Sequence, residues 1–270
     1  MVMRIALAQL DVRLGDLEGN AQRAREAIAD SRAGGAELVV FPELFLCGYA
    51  LGGVAGETSR EAAGVAGLVP DSTAAVLGFH ERSGSETYNS AVYAAGGKAV
   101  HVHRKLFLVE YPPFDEGAHF TPGSELRAFD TPHGRLAVLI CNDAWQPFLP
   151  YLAVLDGARV LVMPSASSRA VPEAEEYWRE LTRFYARMLQ CYVVFVNRVG
   201  TEAGFAYWGG SHVVGPLGEL VAEAPVAEEA LTFAELDLAR VEERRLELPL
   251  LGQPRIDLLQ AELARLRRNS

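Results

Sequence analysis

Apolar and polar positions along the chain alternate between two periods, and the changes mark the elements. A short apolar run at 4–10 reads as a strand, and residues 17–33 place Ala21, Ala24 and Ile28 on one face of a helix that Gly34-Gly35 ends. A strand follows at 37–40. After a glycine-rich loop at 48–56, the pattern predicts a short helix at 59–66 and strands at 75–81 and 87–95, which Gly96-Gly97 turns into a strand at 98–104. Strands at 126–131 and 135–140 are joined by Pro132-His133-Gly134. The order then repeats: helix 148–156, strand 160–163, helix 173–190, strand 192–196. Strands at 210–214, 219–222 and 231–236 and a helix at 256–268 close the sequence.

Two sets of strands, each with helices on an outer face, predict an α/β fold in which two sheets pack together and helices cover both sides. A chain of 270 residues buries about three quarters of its unfolded surface, so one domain over 1–270 is expected. No solenoid-length repeat, low-complexity segment or linker divides it.

Composition narrows the classes. A formal charge of −10 and a pI near 5.2 argue against a nucleic-acid partner, and the basic cluster Arg265-Leu266-Arg267-Arg268 suits a helix end. Half the residues are hydrophobic, yet Glu43, Asn142 and Asn197 interrupt the runs that come nearest to membrane-span length, so no membrane is expected. The start of the chain has no secretory pattern, and three cysteines without paired spacing fit a reducing compartment; cytoplasm is the expectation. Cys47 and Cys191 lie in apolar surroundings and read as packing residues.

Candidate chemistry lies at strand ends. Cys141 closes the run Leu136-Ala137-Val138-Leu139-Ile140 and precedes Asn142-Asp143-Ala144-Trp145-Gln146-Pro147, a turn entering a helix. A thiol at such an elbow lies near a helix's positive end, which favours the nucleophilic thiolate. Glu43, in Phe41-Pro42-Glu43-Leu44-Phe45, is a lone carboxylate in an apolar stretch, suited by burial to general-base work. Lys105 ends the strand before Leu106-Phe107-Leu108. Each has a blander reading: Glu43 and Lys105 as a structural ion pair, Cys141 as a core thiol. Asn197 reads as closing a strand turn.

Glu, Lys and Cys at strand ends in this order resemble the nitrilase superfamily of carbon–nitrogen hydrolases. Segments between them match too: Tyr88-Asn89-Ser90-Ala91, Phe120-Thr121-Pro122-Gly123, Val196-Asn197-Arg198-Val199-Gly200 with Gly209-Gly210-Ser211, and the turn Gly215-Pro216-Leu217-Gly218-Glu219. The resemblance implies a four-layer αββα sandwich and hydrolysis of a small linear amide through a cysteine acyl-enzyme, with no cofactor and no metal. It implies Glu43 as base, Lys105 with the Asn142 N–H as oxyanion donors, and Glu116 as a positioning carboxylate, with Asp115 the fallback one residue away. Asn142, Tyr49, Trp145 and Ser167 are the candidate substrate-binding residues. Related proteins commonly pair through the helix at 173–190, where Tyr177, Leu181, Phe184, Tyr185 and Met188 form an apolar stripe. Core packing accounts for part of it, and the rest, with Trp178, is expected to make a homodimer contact.

Cys141-Asn142-Asp143-Ala144-Trp145 and Phe114-Asp115-Glu116 look nearest to the glutamine-hydrolysing domains of NAD synthetases. The sequence contains no synthetase domain to receive ammonia, so a stand-alone amidase is expected. Asn142 and Phe148 depart from residues common in amidases and carbamoylases, and with the loops at 47–60, 109–120 and 165–175 they shape the pocket. N-carbamoyl amino acids are the alternative substrates; a catalytically silent binding scaffold and acyl transfer are readings of other classes. His101 and His103 share a strand face and read as solvated rather than as metal ligands. Gly52, Gly53 and Gly56 lack the spacing of a phosphate loop, and Gly209-Gly210-Ser211-His212 lacks that of a serine nucleophile elbow.

Overall fold

The computed structural model describes residues 2–52, 55–70, 73–112 and 114–269; Gly53, residue 54 of the loop at 47–60 and Pro113 of the loop at 109–120 lie outside them. The chain runs β1 (Val2–Gln9), α1 (Leu17–Ala33), β2 (Leu38–Val40), α2 (Ala55–Thr58), α3 (Ala62–Ala66), β3 (Ala74–Ser83), β4 (Glu86–Ala95) and β5 (Lys98–Arg104). It continues through β6 (Phe129–Thr131), β7 (Gly134–Val138), α4 (Phe148–Leu155), β8 (Val160–Ser165), α5 (Ala174–Leu189) and β9 (Tyr192–Asn197). The last elements are β10 (Val199–Glu202), β11 (Phe205–Trp208), β12 (His212–Val214), β13 (Leu220–Glu223), β14 (Ala230–Asp237), α6 (Ala239–Glu247) and α7 (Ile256–Asn269).

Two six-stranded sheets form, ordered β14-β1-β2-β3-β4-β5 and β13-β12-β9-β8-β7-β6, with β10 and β11 as a separate hairpin. Strand alternation distributes the side chains between layers. Ile5, Leu7, Val40 and Val76 of the first sheet meet Leu136, Val138, Val160 and Val194 of the second in a core between the sheets. The opposite face of β1, Ala6 and Ala8, packs on Ala21, Ala24 and Ile28 of α1. Leu139, Leu161, Met163 and Phe195 pack outward on Leu149 and Ala153 of α4 and Trp178, Tyr185 and Leu189 of α5. The result is the expected helix–sheet–sheet–helix sandwich. Among the described residues no helix is long and apolar enough to cross a membrane.

Several elements differ from the sequence reading. The strand expected at 126–131 forms only over Phe129–Thr131, and the short helix begins at Ala62. The β10–β11 hairpin and α6 were not foreseen: the first is four-residue strands without clear alternation, the second a mostly charged helix. β14, whose sheet the sequence reading left unassigned, returns to pair antiparallel with β1, Val2 opposite Asp237 through Gln9 opposite Ala230. On α5, Trp178 is fully buried rather than part of an outer contact, while Tyr177, Phe184 and Met188 are exposed.

Candidate active site

The site lies beyond the carboxyl ends of strands from both sheets, where open α/β sheets leave crevices for ligands. Glu43 follows β2, Lys105 follows β5, Cys141 follows β7, and Ala166 and Ser167 follow β8. The turn bearing Glu43 presses so closely on β3 that a Cβ at Gly78 would stand 2.3 Å from the Pro42 carbonyl oxygen. Gly123, in the Phe-Thr-Pro-Gly segment, is equally confined: its N–H donates to Lys105 O at 2.8 Å, and a Cβ there would meet Arg104 O at 2.4 Å. Both glycines are therefore required by close backbone approach.

Lys105 is fully buried between two carboxylates, its Nζ donating to Glu43 Oε1 at 2.7 Å and Glu116 Oε1 at 2.6 Å. Glu43 Oε1 also accepts from Asn89 Nδ2 at 2.7 Å, and Oε2 accepts from the Ala166 N–H at 2.9 Å. Glu116 accepts from Tyr49 Oη at 2.5 Å and from the Val109 N–H at 2.8 Å. The carboxylate beside Lys105 is thus Glu116, and the one-residue fallback Asp115 is not needed. Burial alone would lower the Lys105 pKa, but Glu116 and Glu43 outweigh it and hold the ammonium above its usual value. Burial raises the Glu116 carboxyl, with Lys105 pulling the other way.

Cys141 stands in a left-handed conformation, φ 44°, at the start of a 3-10 turn over Cys141–Trp145. This elbow leaves the residue partly exposed. The expectation of a thiolate favoured by a helix end is corrected here. The 3-10 turn separates Cys141 from the expected helix, which begins at Phe148, and burial, followed by the charge of Glu43, pushes the thiol well above its usual value despite Lys105 and the Ala166 N–H. A thiol shifted in that direction calls for a proton acceptor beside it.

A cavity of about 30 Å³ opens onto Cys141, walled by Tyr111, Phe114, Trp145, Val171 and Trp178. A larger one of about 210 Å³, reached by Glu116, shares Tyr49 and Phe114 with it. All four candidate substrate-binding residues line the first cavity. Three have prior commitments. The Asn142 amide donates to Phe107 O at 3.0 Å, Tyr49 donates to Glu116, and Ser167 Oγ accepts from the indoles of Trp178 and Trp208 at 3.1 and 3.2 Å. Trp145 stacks on Tyr177 with centroids 4.5 Å apart. Asn197 bolts the Ser167 segment down, accepting from the Ser167 N–H at 2.8 Å and donating to Ser167 O at 3.2 Å.

Asp143 and His103 were not anticipated. Fully buried, Asp143 accepts through Oδ1 from the Leu106 and Phe107 N–H groups, both at 2.9 Å, and through Oδ2 from the Ile140 N–H at 3.0 Å. His103 Nε2 bonds the same Oδ2 at 2.9 Å. One carboxylate thus ties the segment after Lys105 to the strand before Cys141. The solvated strand face expected at His101 and His103 is corrected: His103 is buried, and His101 stacks on Phe129 at 4.3 Å. Only the position of Asp143, two residues past the cysteine, hinted at this. Among the described residues no group of three or more His, Cys, Asp or Glu side chains is arranged to hold a metal ion.

Two carboxylates sharing one ammonium, beside a thiol that opens onto a cavity, can transfer a proton, hold an oxyanion and form a thioester. Residues 4–246 match the family model of the carbon-nitrogen hydrolases. The glutamine-dependent NAD(+) synthetase of Thermotoga maritima is 32% identical over 247 residues, 87% of this chain but 42% of that protein. The omega-amidase NIT2 of Bos taurus is 31% identical over 275 residues, 96% of this chain and 97% of its own length. A Glu-to-Gln mutant of the amidase from Nesterenkonia sp. AN1, solved with the acetamide moiety of fluoroacetamide on its active-site cysteine, superposes with a TM-score of 0.79 at 28% identity, covering 91% of this chain and 95% of the other. By its strand-end Glu, Lys and Cys, its layered sheets and its match over most of its length, this chain belongs to the carbon–nitrogen hydrolase family.

Proposed function

We propose that this protein hydrolyses the C–N bond of a small linear amide through an acyl-enzyme on Cys141, releasing ammonia or a small amine. The observation that carries the reading is Lys105 held at 2.7 Å from Glu43 and 2.6 Å from Glu116, in electrostatic reach of Cys141. The pairing of Glu43 with Lys105 that would serve a purely structural role has here an extra carboxylate and an adjacent thiol.

Glu43 accepts the thiol proton as sulfur attacks the carbonyl carbon. Lys105 and the Asn142 N–H hold the resulting oxyanion, each such donor contributing about 3 kcal/mol to lowering the barrier. Collapse breaks the C–N bond as Glu43 returns its proton to the departing nitrogen. Water then gives a proton to Glu43 and its oxygen to the thioester carbon; the second collapse expels the sulfur, which recovers that proton. Glu116 keeps Lys105 in place, assisted by Tyr49. The Nesterenkonia amidase, whose cysteine takes up an acetamide moiety, supports covalent chemistry at the corresponding thiol.

The test is ammonia release from a panel of amides, N-carbamoyl amino acids and nitriles, with Cys141→Ala as control. Turnover of a linear amide is expected, falling at least about 1,000-fold in the alanine variant. Equal turnover by that variant rejects covalent catalysis, and no turnover by the native protein favours a silent scaffold.

A further inference from the structure

The walls around Cys141 contain no charge. Among the described residues lining that cavity, Val109, Tyr111, Phe114, Trp145, Val171 and Trp178 present rings or methyl groups, and the polar ones, such as Tyr49, Asn142 and Ser167, carry no carboxylate, ammonium or guanidinium. The nearby ammonium, Lys105, is not among that lining, and its charge is already matched by Glu43 and Glu116. Charged side chains line the neighbouring cavities instead: Asp115 and Glu116 in the larger one that shares Tyr49 and Phe114, and Arg169, 4.0 Å from Glu175, in one that shares Val171. Free space is also limited: about 30 Å³ exceeds what one water needs, roughly 10–15 Å³, by a factor of only two or three.

Resting on the amidase reading, we propose that the acyl group of the substrate is short, apolar and uncharged. A carboxylate on that group would lose its water against aromatic walls with no cation to receive it, beside a cluster holding two carboxylates and one ammonium. An ammonium would find ring faces but no carboxylate in that lining. A hydrocarbon acyl chain gains from the same walls by leaving water. Glutamine, on which the Thermotoga synthetase depends by name, carries both charges and is a poor fit for this cavity.

Three primary amides of nearly equal length separate the cases: butyramide, succinamate and 4-aminobutyramide, assayed by ammonia release with the whole protein, with glutamine as a fourth. Butyramide is expected to exceed each charged amide at least about 100-fold in kcat/KM, the order of penalty for an unpaired polar group in a closed site. Val171→Arg, which places a guanidinium on the wall, should raise the succinamate-to-butyramide ratio at least about tenfold. In parallel, fluoroacetamide and mass spectrometry report whether Cys141 accepts an acyl or alkyl adduct. Succinamate, 4-aminobutyramide or glutamine within tenfold of butyramide overturns the proposal and leaves amide hydrolysis standing. An unchanged ratio in Val171→Arg overturns the assignment of the barrier to missing charge. Neither ammonia from any amide nor an adduct at Cys141 overturns both readings.

Discussion

Two clusters of buried charge meet at Tyr49, and they are built to opposite ends. On one side its hydroxyl donates to Glu116, in the group with Glu43, Lys105 and Cys141. On the other its backbone N–H donates at 2.8 Å to Glu202, which also accepts from the Ala50 N–H at 2.7 Å and from Arg198 at 2.7 Å. Arg198 is buried, donates to Val12 O at 3.0 Å and lies 4.2 Å over the Tyr207 ring. In that second cluster Arg198 holds the buried Glu202 and also the half-exposed Asp11, at 3.2 Å, and the cysteine within its field, Cys47, is fully buried. In the first, two buried carboxylates share a single ammonium beside a thiol that opens onto a cavity, so one group retains the capacity to take a proton. A buried ion pair is thus not by itself a mark of chemistry; an unmatched acceptor at a cavity wall is.

The comparison breaks most decisively at the two cations. Lys105→Met leaves two buried carboxylates unpaired and removes an oxyanion donor, so unfolding free energy should fall by about 3–5 kcal/mol and ammonia release by at least about 100-fold. Arg198→Met should cost a similar stability, about 3–5 kcal/mol, while the fraction that remains folded keeps its turnover within about tenfold. Urea unfolding and assays corrected for folded fraction measure both; equal loss of turnover would erase the distinction between the clusters.

A smaller effect separates both clusters from the acid response. Burial holds His212 at about 4, below the usual 6.5, with Nδ1 donating to Gly210 O at 2.8 Å. The unfolded chain therefore binds the proton first. Its contribution is complete above about pH 6.5 and is lost as pH falls toward 4, by up to about 3 kcal/mol. Unfolding curves at pH 7.5 and 4.5 should show His212→Gln losing less stability on acidification than the native chain; an equal loss removes His212 from the account.

The smallest expected change concerns the tie between the two halves of the first cluster. Asp143→Asn should cost about 1–3 kcal/mol, since an amide cannot accept at both ends of its fork. With Lys105 less firmly placed, kcat should drop more than KM rises. A variant with unchanged kcat would show that Asp143 acts on folding alone.

Much of this was legible in the chain, and particular residues show why. Glu43, Lys105 and Cys141 each follow a run whose apolar pattern announces a strand, so local periodicity placed them at strand ends, and their order carried the family resemblance. Trp178 was misplaced because the stripe on α5 specifies an apolar face without saying which neighbour reaches it first; the turn after β8 claims Trp178 through Ser167. The partnership of Asp143 with His103, 40 residues apart, leaves no periodic trace. Nor does the direction of the thiol's shift, which depends on how many charges surround it.

By itself the sequence determined the elements, since hydrophobic period responds to which faces must be buried, and it determined the chemical groups on offer. Only the tertiary structure decided that β14 returns to β1, that Asn89 and Asp143 brace the acidic and lysine segments, and that the Cys141 thiol is pushed above its usual value. Those outcomes depend on distances between residues remote in the chain and on exclusion of water from the space they share, and neither quantity exists until the two sheets close on each other.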